Sequence, residues 1–124
     1  DIARLAIAAG ATYVARTTSF DFPDMVKFIK RGIEHKGFAV IEVLTHCPTY
    51  YGRLNDLRDP YEMLHTIKEQ TVPLDEWAQL SEEERAGKIV IGELHREERP
   101  EFVESYYQLI AQMRDRQEHR TDGH

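Results

Sequence analysis

The run of residues 38–44 constrains the fold of this chain more than any other segment. Its residues are apolar at both alternate positions, with Glu42 as the exception, and the run has the length of a β-strand. Such a run is typical of a strand that is covered on both faces, as in α/β folds with helices on either side of a parallel sheet. A layered α/β arrangement is therefore the first prediction.

The residues before this run predict a helix, a strand and a second helix. Residues 2–9 are rich in alanine and predict a helix that ends at Gly10. The short segment of residues 12–17 contains several β-branched residues, which favours a strand. Pro23 suits the first turn of the helix that follows. Two strands joined by such a helix form a right-handed crossover with parallel strands. Apolar residues mark one face of this second helix: Phe22, Met25, Val26, Ile29 and Ile33.

The second half of the chain predicts shorter elements in a more polar background. Residues 61–70 can form a helix, residues 72–77 indicate an irregular connection, and residues 88–95 predict a strand. Pro100 starts a last helix with an apolar stripe. The polar stretch of residues 114–124 is expected to fray.

Composition and charge exclude several classes of protein. The 124 residues are 41% hydrophobic and 31% charged, as in ordinary globular proteins. The net charge of −6 gives no electrostatic footprint for nucleic acid, and no apolar run is long enough to cross a membrane. A single cysteine fits a reducing compartment, and we expect a cytoplasmic protein. Because a helical pattern follows Asp1 at once, we expect a piece of a longer protein; a processed form of a small domain is the alternative.

The single cysteine, Cys47, lies in the loop of residues 45–53, directly after the predicted strand. Open α/β sheets place their ligands at this end of the strands. Pro48 favours a loop, and the Cys-Pro junction recurs in iron–sulfur proteins because proline lacks an amide hydrogen. The alternatives for Cys47 are a zinc ligand with distant histidines, a thiol nucleophile with a histidine base, and a small buried hydrophobic residue. One thiolate cannot hold a metal cluster, so any further ligands lie outside these residues.

Other motifs add little to this interpretation. The sequence lacks the glycine-rich nucleotide loops, the zinc-protease motif and the serine nucleophile elbow. Glu42 needs a partner inside an apolar strand because a buried carboxylate is costly when unpaired. It either orients the loop that follows or bonds a backbone amide or an arginine.

Two stretches resemble the β subunit of 2-oxoacid:ferredoxin oxidoreductases, and in particular its 2-oxoglutarate branch. They are residues 5–16 and the more specific residues 35–50, and the spacing between them also matches. Residues 91–102 resemble the end of that subunit more loosely. Tyr51 is a departure, since relatives often have Asn there. The resemblance indicates the carboxyl-terminal part of the subunit.

This resemblance implies a definite chemistry. Such enzymes decarboxylate a 2-oxoacid, here 2-oxoglutarate, on thiamine diphosphate with Mg²⁺, transfer the acyl group to coenzyme A, and pass electrons singly through a 4Fe-4S cluster to ferredoxin. It implies Cys47 as a cluster ligand, with Thr49 and Tyr50 as cofactor-binding residues and no catalytic residue in this chain. The other three cysteines and the Gly-Asp-Gly motif for magnesium lie earlier in that subunit and are absent from these residues.

The implied fold is part of a thiamine-diphosphate-binding fold with a parallel sheet flanked by helices. Residues 1–53 are expected to be its βαβ-containing part, ending in the Cys47 loop, and residues 54–124 a carboxyl-terminal extension with helices and a strand in the same domain. The implied partners in a heteromeric complex are the α subunit, ferredoxin, the 2-oxoacid and coenzyme A, and we expect these residues alone to be inactive. Two hypotheses compete: a stand-alone α/β interaction module in which Cys47 is a spectator, and a thiamine-dependent enzyme that has lost its cluster.

Overall fold

A mixed four-stranded sheet forms the centre of the computed structural model, which describes residues 1–57 and 59–121. Strands β1 and β2 are parallel and in register from Tyr13 opposite Ala39 to Thr18 opposite Leu44. Strand β4 runs antiparallel to β1, and β3 runs parallel to β4. The predicted α/β class and the parallel strand pair are confirmed. The strands, in the sheet order β2-β1-β4-β3, are β1 (Tyr13–Thr18), β2 (Ala39–Leu44), β3 (Thr71–Pro73) and β4 (Ile89–Arg96).

Helices lie before, between and after these strands: α1 (Ile2–Ala8), α2 (Phe22–Glu34), α3 (Pro60–Gln70), α4 (Leu74–Trp77), α5 (Glu82–Arg85) and α6 (Phe102–Thr121). Helix α2 joins β1 to β2 as predicted, with a proline in its first turn. Gly10 follows α1 with a φ of +93°, the left-handed conformation that commonly ends a helix. A π-helical turn, Pro48–Gly52, follows β2.

Two predicted boundaries were wrong. Residues 72–77 are not an irregular connection: residues 72 and 73 belong to strand β3, which pairs with β4, and residues 74–77 form helix α4. Helix α6 continues to Thr121 although fraying was expected from residue 114, because Arg, Gln and Glu are good helix formers. The predictions for Arg58 and for residues 122–124 lie outside the described residues.

Strand β1 is the centre of the core, since each of its six residues is buried. Its side chains alternate between the two faces of the sheet. Val14 packs with Ala3 of α1, whereas Tyr13 and Ala15 pack with Phe28 of α2. Helices therefore cover both faces of the sheet at β1.

Strand β2 packs against the helices on both faces of the sheet but is only half-buried along its length. Val40 packs on the α1 side and Ile41 on the α2 side, as the apolar pattern predicts. In the part of the chain that the structure describes, β1 is the strand partner of β2, and the opposite edge of β2 is unpaired. An open edge of this kind accepts further backbone partners.

The apolar face that the sequence marks on α2 is mostly not the face that packs on the sheet. Phe28 is 5% exposed, whereas Phe22 is 62% and Ile33 is 81% exposed. Because the sheet contacts the side of the helix that carries Phe28, an apolar stripe remains on the surface: Phe22, Val26, Ile29 and Ile33.

Candidate functional site

The loop after β2 holds Cys47 at the carboxyl end of the parallel strand pair, as the sequence predicts. The thiol is exposed. Cys47 directly precedes the π-helical turn, and Pro48 occupies a first-turn position where no amide hydrogen is needed. The amide of Gly52 donates to the carbonyl oxygen of Cys47 at 2.9 Å and closes the turn.

Polar groups of this turn lie on one side of the sulfur of Cys47. The backbone amide of Tyr51, then that of Tyr50 and the hydroxyl of Thr49, hydrogen-bond to the sulfur and lower the pKa of the Cys47 thiol from its ordinary value. Thr49 Oγ1 lies 3.8 Å from the sulfur. Because the thiolate is the form that ligates metals and attacks electrophiles, the turn prepares Cys47 for either role. The interpretation of Cys47 as a buried hydrophobic residue is excluded by its exposure.

Thr49 and Tyr50, the other predicted site residues, lie on the same turn. Tyr50 is 73% exposed, and the carbonyl oxygen of Thr49 accepts a hydrogen bond from Arg53 Nη2 at 3.1 Å. The structure therefore brings the three predicted site residues together on one exposed turn. It does not test what they bind, and their roles in cofactor binding stay predictions.

A cavity of about 360 Å³ lies behind this turn, between β2 and helix α3. Cys47, His46 and Met63 are among the residues that line it. The Nδ1 atom of His46 is buried and has no hydrogen-bond partner among the described residues. Sequence reasoning missed this atom, because no spacing between histidines pointed to it.

Cys47 can supply one ligand of a metal cluster but cannot hold a cluster alone. Across residues 1–57 and 59–121, no group of three or more His, Cys, Asp and Glu side chains is arranged to hold a metal ion. This arrangement disfavours a zinc site built within the described chain. An exposed thiol with a lowered pKa suits a cluster whose remaining thiolates come from another stretch of polypeptide.

Glu42, which the sequence left with two interpretations, pairs with an arginine. Its Oε2 accepts from Arg16 Nε at 2.7 Å, across the parallel strands β2 and β1. The Arg16 side chain is 6% exposed and also contacts the carboxylate of Asp1 and the carbonyl oxygen of Val90. Glu42 therefore stabilises the sheet beneath the loop through Arg16. None of the helices in the described ranges is long and apolar enough to cross a membrane.

Comparison with curated proteins places this chain among known relatives. No model of a protein family matches it. The 2-oxoglutarate synthase subunit KorB of Methanocaldococcus jannaschii is 50% identical over 114 residues, which are 92% of this chain and 42% of that protein. The 2-oxoacid:ferredoxin oxidoreductase subunit beta of Saccharolobus solfataricus is 50% identical over 46 residues, or 37% of this chain and 15% of that subunit.

A solved structure shares the fold. It is a 2-oxoglutarate:ferredoxin oxidoreductase from Magnetococcus marinus with 2-oxoglutarate, coenzyme A and succinyl-CoA bound, and one of its chains matches with a TM-score of 0.69 and 20% identity. The match covers 90% of this chain and 38% of that one. This chain thus spans less than half the length of the relatives that it matches over most of its own length. The resemblance read from the sequence is confirmed: this chain is a relative of part of the β subunit of 2-oxoacid:ferredoxin oxidoreductases.

Proposed function

We propose that this chain is the carboxyl-terminal part of the β subunit of a 2-oxoacid:ferredoxin oxidoreductase that acts on 2-oxoglutarate. Two relatives support the assignment: one is named 2-oxoglutarate synthase subunit KorB and one 2-oxoacid:ferredoxin oxidoreductase subunit beta. In the proposed reaction the 2-oxoacid is decarboxylated, the acyl group passes to coenzyme A, and electrons pass to ferredoxin. Residues 1–53 and 54–124 then act as two parts of one domain.

The single observation that carries the proposal is the exposed thiol of Cys47 between the end of β2 and the turn Pro48–Gly52. Cys47 supplies one of the four thiolates that a 4Fe-4S cluster normally needs. When bound, the cluster supplies one-electron transfer toward ferredoxin. The amides of Tyr51 and Tyr50 lower the pKa of the Cys47 thiol, which favours the thiolate that ligates iron.

Thr49 and Tyr50 are proposed to contact thiamine diphosphate, whose Mg²⁺ and diphosphate are held by an earlier part of the subunit. The exposed ring of Tyr50 is available to a cofactor that lies outside the turn. The hydroxyl of Thr49 is already directed at the sulfur of Cys47. Thr49 therefore links the cluster ligand and the cofactor side of the same turn.

The proposed partners follow from the same relatives. Both proteins are named as subunits, which supports a complex with a second, α subunit, and ferredoxin stands in the name of one of them. Rates of ferredoxin reduction with 2-oxoglutarate, pyruvate and other 2-oxoacids test the substrate.

The decisive experiment replaces Cys47→Ser in the complete enzyme and measures its iron content and its rate of ferredoxin reduction. We expect both to fall, because an alcohol is a poorer iron ligand than a thiolate. Thr45→Ser is the matched control: it changes an exposed residue of the same loop, and we expect wild-type values for both measurements.

The competing hypotheses give different results in this experiment. If Cys47 is a spectator in an interaction module, or if the enzyme has no cluster here, Cys47→Ser leaves iron content and activity unchanged. Wild-type values for both quantities would therefore overturn the proposed role of Cys47.

A further inference from the structure

Gly52 is the buried residue of the turn that carries Cys47. Its amide donates to the carbonyl oxygen of Cys47 at 2.9 Å, and its own carbonyl oxygen accepts from the amide of Leu57 at 2.8 Å. These two hydrogen bonds connect the start of the turn to the segment that leads into α3. A displacement of Gly52 would therefore strain its hydrogen bond to Cys47.

No side chain fits at Gly52. A Cβ atom there would lie 2.2 Å from the carbonyl oxygen of Leu57 and 3.0 Å from Sδ of Met63. The first neighbour is backbone, so the clash cannot be relieved by a change of rotamer. The turn can approach α3 this closely because residue 52 is glycine.

Helix α3 supports the turn at this contact. Met63, which lies under the turn, is 4% exposed. The carboxylate of Asp59 caps the amino end of α3 by accepting from the amide of Tyr61 at 2.9 Å. The turn thus rests on an ordered, capped helix.

A polar neighbour of the Cys47 sulfur belongs to the same turn. Thr49 Oγ1 lies 3.8 Å from the sulfur, and Thr49 and Gly52 are both residues of the turn. Hydrogen bonds to cluster sulfurs affect how tightly and at what potential an iron–sulfur cluster is held. A displaced Gly52 would therefore move both the ligand and its polar neighbour.

We propose that Gly52 is a positioning residue, which seats the Cys47 turn against Met63 and so directs the thiol toward a 4Fe-4S cluster. This inference rests on the proposed function, because it needs Cys47 to be a cluster ligand. Gly52 touches no reacting group itself. It acts through the geometry of the turn.

The test uses Gly52→Ala in the complete enzyme. We expect a chelator to remove iron at least about tenfold faster than from the wild type, since changes around metal ligands commonly cost about 10–100-fold in metal affinity. We also expect an altered electron paramagnetic resonance spectrum of the reduced cluster, which a change in folding stability alone would not produce. An unchanged spectrum and an unchanged rate of iron loss would overturn the proposal.

Two further variants keep the test decisive. Met63→Ala removes the sulfur that packs under Gly52, and we expect the same changes in smaller degree; it decides the question if Gly52→Ala fails to assemble. Gly10→Ala is the matched control, because its Cβ would meet nothing within 4 Å and its strain arises at the opposite end of the sheet. If Gly10→Ala changed the spectrum as Gly52→Ala does, the effect would be general destabilisation and the proposal would fail.

Cys47→Ser separates this inference from the proposed function. If Cys47→Ser lowers the iron content while Gly52→Ala and Met63→Ala leave the spectrum unchanged, the positioning role fails and the ligand assignment stands. If Cys47→Ser leaves the iron content unchanged, the ligand assignment fails, and the positioning role fails with it.

Discussion

Helices α2 and α6 both carry exposed apolar side chains but differ in what lies against them. Helix α2 places Phe28 against β1, where the ring is 5% exposed. In α6 the ring of Phe102 is 78% exposed, and an ion pair of 2.6 Å from Glu104 to Lys36 links the helix to the segment after α2. Phe28 lies outside the apolar stripe that the sequence marks on α2, so the path of the chain, rather than the stripe, decides which face of a helix is buried.

The largest expected effect compares one phenylalanine from each helix. We expect Phe28→Ala to lower the free energy of unfolding of this chain by about 3–5 kcal/mol, because it leaves a cavity in the core. Phe102→Ala makes the same chemical change at an exposed position and should alter that free energy by less than about 0.5 kcal/mol. Urea denaturation followed by circular dichroism measures both. Equal losses from the two variants would contradict the difference between the helices.

A second comparison sets the buried ion pair of the sheet against the exposed pair of α6. Glu42→Gln should lower the free energy of unfolding by about 1–3 kcal/mol, because Arg16 remains buried with a weaker acceptor. Glu104→Gln, the matched change at the exposed pair with Lys36, should have no measurable effect. Denaturation at low and high salt provides a second readout. A Glu42→Gln effect that disappears at high salt would show that this pair behaves as a surface pair.

The smallest effect on folding is expected where apolar side chains are exposed, yet these positions should control association. Exposed apolar stripes predict that this chain self-associates. We expect the double variants Phe22→Glu with Ile33→Glu, and Val103→Glu with Tyr106→Glu, to lower the average mass measured by light scattering while stability changes by less than about 0.5 kcal/mol.

The control for this experiment is Gln70→Glu with Gln79→Glu, which adds the same charge at exposed polar positions. If this control lowers the mass as much as the two test variants, net charge rather than apolar contact governs association. If one test variant acts and the other does not, the result shows which helix face drives the contact.

Local features of the fold could be predicted from the sequence, and distant contacts could not. The glycine after α1, the proline of α2 and the parallel pair of β1 and β2 depend on residues that are close in the chain. The partner of Glu42 is Arg16, 26 positions away, and sequence alone left it open. The antiparallel direction of β4 depends on the path of the long segment between β2 and β4, which periodicity does not report.

In the candidate site, too, local features could be predicted from the sequence and distant contacts could not. The position of Cys47 at the end of β2 was predictable because it follows a recognisable strand and precedes a proline. The close packing at Gly52 was not, because it depends on Leu57 and Met63, which come later in the chain. The cofactor contacts of Thr49 and Tyr50 stay predictions, since they concern groups beyond this turn.

The unpaired edge of β2 has a consequence for how the complete subunit holds together. Cys47 follows an edge strand of the described sheet. In the proposed enzyme, the three remaining thiolates of the cluster would come from an earlier part of the subunit. Iron would then cross-link two segments that are far apart in the chain, and such a cross-link restricts the unfolded ensemble more as the enclosed loop lengthens. Metal affinity would thereby become folding free energy. In that subunit, loss of iron would act on stability much as reduction of a long-range disulfide does.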